Sequence, residues 1–211
     1  MMIDTSSKLG EIESYFYLPF SERPRLWVHP NGFIQMQVAG NDQRIHFWGH
    51  PDIPRQKAFT TIHDHRKAFR SVCLKGRMMN IVYNTEVALD DARNDYEVWT
   101  SPGVCKDSDL EDTGHRCRIN SNWPTLIEAG SLKQCYVMQP WVFHESVPLG
   151  PAITVMTKMP ARDHQMASRW MTPRVLVGRG KPYDHEFMRR KWDGLGEQHM
   201  LWCIVAAIWQ A

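Results

Sequence analysis

The sequence predicts an all-β domain, a barrel or sandwich of short strands, with a helical appendage at its C-terminal end. At least eight short segments rich in β-branched and aromatic residues recur between turn residues. No stretch before residue 184 has the length and period of a helix. The chain then changes character, ending in a run that is apolar on nearly every side. With 211 residues, 43% of them hydrophobic, the chain is long enough for one domain with a substantial core and too apolar for general disorder.

Residues 1–14 are polar, with Asp4, Glu11 and Glu13, and read as a loose arm. The barrel is expected over 15–160. Segments 25–29 and 33–38 flank Pro30-Asn31-Gly32, a hairpin signal. The turn Gly40-Asn41-Asp42 leads into 44–48. Further strands are expected at 58–64, 68–74, 77–83, 96–99, 132–138, 141–146 and 152–158. Between them, 86–123 is a polar excursion rich in Asp, expected to hold one or two short strands and to act as an insertion or lid. The remainder, 161–211, reads as an extension with one or two helices, at 184–192 and 196–209, parted by Gly194 and Gly196. The second helix must be covered, either by the outside of the barrel or by a second copy of the chain in a homodimer.

A net charge of +2 gives no electrostatic case for nucleic acid binding. The longest apolar run, 200–209, is half the length a membrane span needs, about 20 residues. The start does not read as a signal peptide. Five cysteines without a C-x-x-C give neither a disulfide framework nor a zinc ribbon, so a cytoplasmic, reducing setting is expected.

The chemistry concentrates in Ile62-His63-Asp64-His65. Residues two apart on a strand face the same way, so His63 and His65 project together. Two imidazoles so placed can reach one divalent ion, each at about 2.0–2.2 Å. A third ligand must come from another strand, and His144, just ahead of the apolar segment 152–156, is the candidate. Asp64 and Glu145 adjoin these histidines but face away from them.

This pattern resembles the cupin superfamily. Its first motif runs H-x-H, three or four residues, Glu, six residues, Gly. Here His63-x-His65 is followed by three residues, Phe69, six residues and Gly76. Phe69 stands where the Glu ligand usually sits, and Lys57 where a Gly usually opens the motif. Of the second motif His144 and Pro140 remain, with Pro148 at the usual Asn. The resemblance spans roughly residues 25–160 and implies a cupin-type double-stranded β-barrel, a jelly roll, with a metal in its lumen. The missing carboxylate is similar to the three-His thiol (cysteine) dioxygenase branch. That likeness implies a mononuclear non-haem Fe(II) dioxygenase acting on a small molecule.

The residues alone leave more open. Three neutral histidines leave an ion its full double charge and free positions. That suits oxygen chemistry, or Lewis-acid work with Zn or Mn in an isomerase, epimerase or hydrolase; Ni is a further option. A cupin that only binds a small ligand is the third alternative. An H-x-D oxygenase set would need Asp at 65, which is His.

Further lining candidates follow from strand parity. Arg44, His46 and Trp48 alternate on one face; turned inward, Arg44 would take a carboxylate or phosphate through its forked donors. Ser71 and Cys73 share the facing of Phe69. Tyr83 and Tyr136 are candidate proton donors, and Cys105, His115 and Cys117 form an irregularly spaced second ligand set in the excursion.

Overall fold

In the computed structural model, residues 4–38, 42–54, 59–87, 95–100, 110–160, 173–179 and 192–211 are described. Helix α1 (Thr5–Phe16) comes first. Strands β1 (Leu26–His29), β2 (Phe33–Gln37), β3 (Gln43–Trp48), β4 (Phe59–His63), β5 (Phe69–Lys75) and β6 (Arg77–Glu86) follow. Then come β7 (Tyr96–Thr100), β8 (Glu111–Ser121), β9 (Thr125–Glu128), β10 (Cys135–Met138), β11 (Phe143–Pro148), β12 (Ala152–Lys158) and β13 (Arg174–Gly178). Helix α2 (Leu195–Gln210) ends the chain.

The strands form two antiparallel sheets. The first has the order β1-β2-β3-β12-β5-β10. In the second, β11, β4, β13, β7, β8 and β6 pair in turn, and β6 returns to β11, so six strands close on themselves. Strand β9 lies along the lower half of β6. The result is the all-β, cupin-type double-stranded barrel that the sequence predicts, with its C-terminal helix.

Period-2 alternation decides what each face meets. On the first sheet, Ile34, Met36, Ile45, Phe47 and Val155 face outward and are buried beneath α1 and α2. The residues between them, such as Gln35, Arg44, His46 and Thr154, face the lumen. Strands β4, β6 and β11 form the opposite wall. Their other face looks into the closed six-stranded ring, where Ile62, Val98, Cys117, Phe143 and Leu176 pack together. One wall thus serves two interiors, with His63, His144 and Ser146 turned to the lumen and Ile62 and Phe143 turned to the ring.

Three expectations meet a different outcome. The stretch read as a loose arm is largely α1. The Asp4 carboxylate accepts the Ser6 and Ser7 N–H groups at 3.1 and 3.2 Å, and Ile12 is fully buried. The excursion does hold two strands, as expected, but β8 is long, and with β7 and β13 it completes the ring instead of standing apart as an insertion. Strand β8 escapes period-2 reading because only Cys117 along it is buried. The extension 161–211 contributes a strand, β13, as well as a helix. The helix expected at 184–192 lies, through residue 191, outside the described residues, as do Cys105, Lys57 and the turn at Gly40-Asn41.

The apolar side of α2 is covered by this chain's own first sheet, with Leu201, Val205 and Ile208 fully buried. No helix among the described residues is long and apolar enough to cross a membrane.

Candidate metal centre

Strand pairing assembles the site. His63 ends β4, and the antiparallel register with β11 places His144 directly across from it. His65 follows two residues on, and its carbonyl accepts the Trp141 N–H at 2.9 Å, drawing the segment before β11 alongside. One ligand-capable atom from each of His63, His65 and His144 lies within 4.8 Å of the others. Ring centroids are 4.8 Å apart for His63–His65, 4.7 Å for His63–His144 and 5.2 Å for His65–His144. Ligands at about 2.1 Å from one tetrahedral ion stand roughly 3.4 Å apart, so the three rings must draw together on binding.

The protonation pattern fits ligation. His63 Nδ1 lies 2.8 Å from the Thr61 carbonyl oxygen, and His144 Nδ1 lies 3.2 Å from that of Val142. A carbonyl can only accept, so the contact with Val142 puts the ring proton of His144 on Nδ1 and leaves its Nε2 lone pair free. At His63 the Thr61 carbonyl favours the same tautomer, while the Asn31 Nδ2 group, 3.0 Å from that Nδ1, favours the other. Burial holds all three rings neutral: it pushes His144 down to about 3, His65 well below the ordinary histidine value, and His63 downward. Positive charge shared among neighbouring rings lowers His65 and His144 further. Neutral, clustered and oriented imidazoles are the donor set a borderline divalent ion takes.

The lumen in front of the cluster holds a cavity of about 40 Å³, against the roughly 10–15 Å³ that one water needs on the same measure. It therefore suits a small molecule. Its walls bring together most of the residues singled out by sequence. Phe69 is buried with its ring 4.7 Å from His65 and 5.6 Å from His144, so the position of the usual carboxylate is filled by an apolar plate. Ser71, Arg44, His46, Trp48 and Tyr136 also line the cavity. Among the described residues, Arg44 Nε is buried without a partner, and its Nη1 donates to Gln35 Oε1 at 3.5 Å. His46 Nε2 is likewise buried and unpartnered, and burial pushes the ring down to about 3. The Tyr136 hydroxyl sits 3.0 Å from Ser146 Oγ. Among the described residues, no Asp or Glu lines the cavity.

Other candidates fall elsewhere. Tyr83 is on β6, but its parity is opposite to that of lumenal Val82; its hydroxyl donates to Glu145, on the ring side of the wall. The other Glu145 oxygen accepts from Thr61 Oγ at 2.5 Å. Cys73 is buried, with its thiol donating to the carbonyls of Lys75 and Gly76 at 3.3 and 3.4 Å, and it does not line the cavity. Cys117 is buried inside the ring, while His115 is exposed, so those two do not converge. Sequence reasoning missed His29, which lines the cavity 6.3 Å from His63 and stacks on Phe33 at 4.2 Å. Its place at the hairpin end beside Pro30-Asn31-Gly32 was the available signal. Asp64 faces away from the cluster, as strand parity predicts, and is buried against Arg174.

Together, fold and cluster define a cupin-type barrel with a three-histidine centre. No family model matches the chain, and no curated protein does. Among solved structures it is similar to a hydroxypropylphosphonic acid epoxidase from S. wedmorenis, with 10% identity, 67% of this chain and 58% of that chain covered, and a TM-score of 0.34. It is also similar to a hydroquinone 1,2-dioxygenase in complex with Cd2+ and 4-hydroxybenzonitrile, with 6% identity, 59% and 61% covered, and a TM-score of 0.31. The hydroquinone 1,2-dioxygenase from Sphingomonas sp. TTNP3 with 4-hydroxybenzoate bound gives 7% identity, 58% and 62% covered, and a TM-score of 0.30. The chain thus spans about three-fifths of the length of each. Likenesses this slight say nothing about the reaction.

Proposed function

We propose that this chain is a mononuclear non-haem Fe(II) dioxygenase acting on a small molecule, with His63, His65 and His144 as the metal ligands. The observation that supports it most is the donor set itself: three neutral imidazoles and, among the described residues, no carboxylate facing the cavity. Bound there, the ion supplies open positions for O₂ and for a substrate donor atom. Phe69 keeps one side of the centre dry. Arg44, whose Nε has no partner among the described residues, holds an anionic group of the substrate. Ser71 and Tyr136 offer hydroxyls in the same lumen. The finer reading, that the substrate is a thiol bearing a carboxylate, comes from the resemblance of the H-x-H segment to the thiol dioxygenase branch.

Elemental analysis of freshly purified protein, followed by anaerobic iron loading and an O₂ electrode, tests this. Stoichiometric iron and O₂ uptake with small mercapto acids are expected. Arg44→Gln should then raise KM about tenfold or more, with kcat less affected. Stoichiometric zinc, no O₂ uptake by the iron-loaded protein and turnover under anaerobic conditions would instead establish Lewis-acid chemistry.

A further inference from the structure

Arg174 opens β13 on the far side of the wall from the lumen, inside the closed ring. Its backbone N–H donates to Asp64 Oδ1 at 2.7 Å, and its Nε donates to Asp64 Oδ2 at 2.7 Å. Its Nη2 stands 2.6 Å from the same Oδ2, and the Asp64 N–H donates back to the Arg174 carbonyl at 3.0 Å. The Asp64 side chain is wholly buried. Nη2 also donates to the Trp141 carbonyl at 3.3 Å, and the guanidinium lies 4.6 Å from the Phe143 ring centre.

These contacts straddle the histidine cluster. Asp64 lies between His63 and His65; Phe143 precedes His144, and Trp141 lies three residues before it. Trp141 has φ +62°, the one left-handed non-glycine residue among those described. Such a conformation is strained for a bulky side chain and persists where the surroundings over-determine it. Here the His65 carbonyl holds the Trp141 N–H, and Arg174 holds its C=O. Loosening either end lets the segment leading into His144 relax away from His65.

We propose that Arg174 is a positioning residue for the metal centre: from the second barrel it fixes the strand end bearing His63 and His65 against the segment bearing His144. The role of β13 is therefore to couple the closed ring to the metal site. This rests on the metal reading above, though not on the dioxygenase one.

The test compares Co²⁺ binding by apo wild type and by Asp64→Asn/Arg174→Gln, which removes both buried charges at once and leaves neither uncompensated. Arg174→Lys is the third protein, keeping the charge but losing the fork that spans Asp64 and Trp141. The double variant should keep its far-UV circular dichroism, bind Co²⁺ about 10–100-fold more weakly and show a shifted visible d–d band. Arg174→Lys should bind more weakly than wild type as well. A folded double variant with wild-type affinity and spectrum overturns the proposal. Should that variant not fold, amide exchange of wild type decides. Saturating Zn²⁺ should slow the Trp141 and Arg174 amides beyond any slowing in α2, since coupling between sites is reciprocal. Equal slowing in both places overturns the proposal. A wild type that binds no Co²⁺ at all overturns the metal reading itself, a distinct result.

Discussion

At the scale of single residues, the H-x-H frame running to Gly76 was legible because it is local: strand parity alone sets His63 and His65 side by side. The structure adds the reason for Gly76. Its φ is +77°, and a Cβ there would collide with the Pro151 carbonyl oxygen and press on Ala152. Gly114 has a similar φ of +74° with nothing nearby. Gly76→Ala should therefore lower the unfolding free energy by more than about 2 kcal/mol, and Gly114→Ala by about 1 kcal/mol. Urea denaturation of both variants, at unchanged m-value, checks the difference; equal losses would show that the collision adds nothing to the dihedral strain. The unpartnered Nε of Arg44 and Nε2 of His46 could not be read from sequence, since parity gives a facing and not a hydrogen-bond count.

At the scale of elements, α2 was legible because its apolar character is continuous, but its attachment was not. The Gln198 side chain accepts the Leu26 N–H at 3.0 Å and donates to the Leu26 carbonyl at 2.8 Å, so the helix satisfies one residue on the edge strand β1. Leu26 is fully buried, so losing those partners leaves a donor and an acceptor without water. Gln198→Leu should cost roughly 1–3 kcal/mol and speed exchange of the Leu26 amide. Faster exchange confined to the frayed end of α2, with Leu26 unchanged, would contradict this. Helix α1 and strand β8 were illegible for opposite reasons. The helix buries one residue, Ile12, below the threshold of a visible apolar stripe. The strand is mostly exposed, and its partners β6 and β7 define it.

At the scale of the molecule, one wall of strands separates a lumen rich in neutral histidines from a second, closed barrel. Burial pushes five lumenal histidines below their ordinary value: His46 and His144 to about 3, His29 and His65 well down, and His63 lowered. The unfolded chain takes up protons near pH 6.5, where the folded chain still refuses them. The apo fold is therefore insensitive to these groups above that pH. It loses stability as pH falls from about 6.5 toward 3, by up to about 1.4 kcal/mol per pH unit for each group. Chelator-treated protein should show a urea midpoint that drops steadily between about pH 7 and 5, with added metal restoring it at the upper end. A midpoint flat across that range would contradict the neutral lumen.

By itself the sequence determined the strand-rich fold class, the paired His63 and His65, the glycine closing their motif and an apolar final helix. Each is a parity, a spacing or a composition carried by neighbours along the chain. Only the tertiary structure decided that His144 stands opposite His63, that Tyr83 faces away from the lumen, that β13 enters the sheet beside β4, and that Arg174 reaches Asp64 across 110 residues. Those facts depend on register and pairing between distant strands, which are set by what each face must bury and leave no mark on either strand alone.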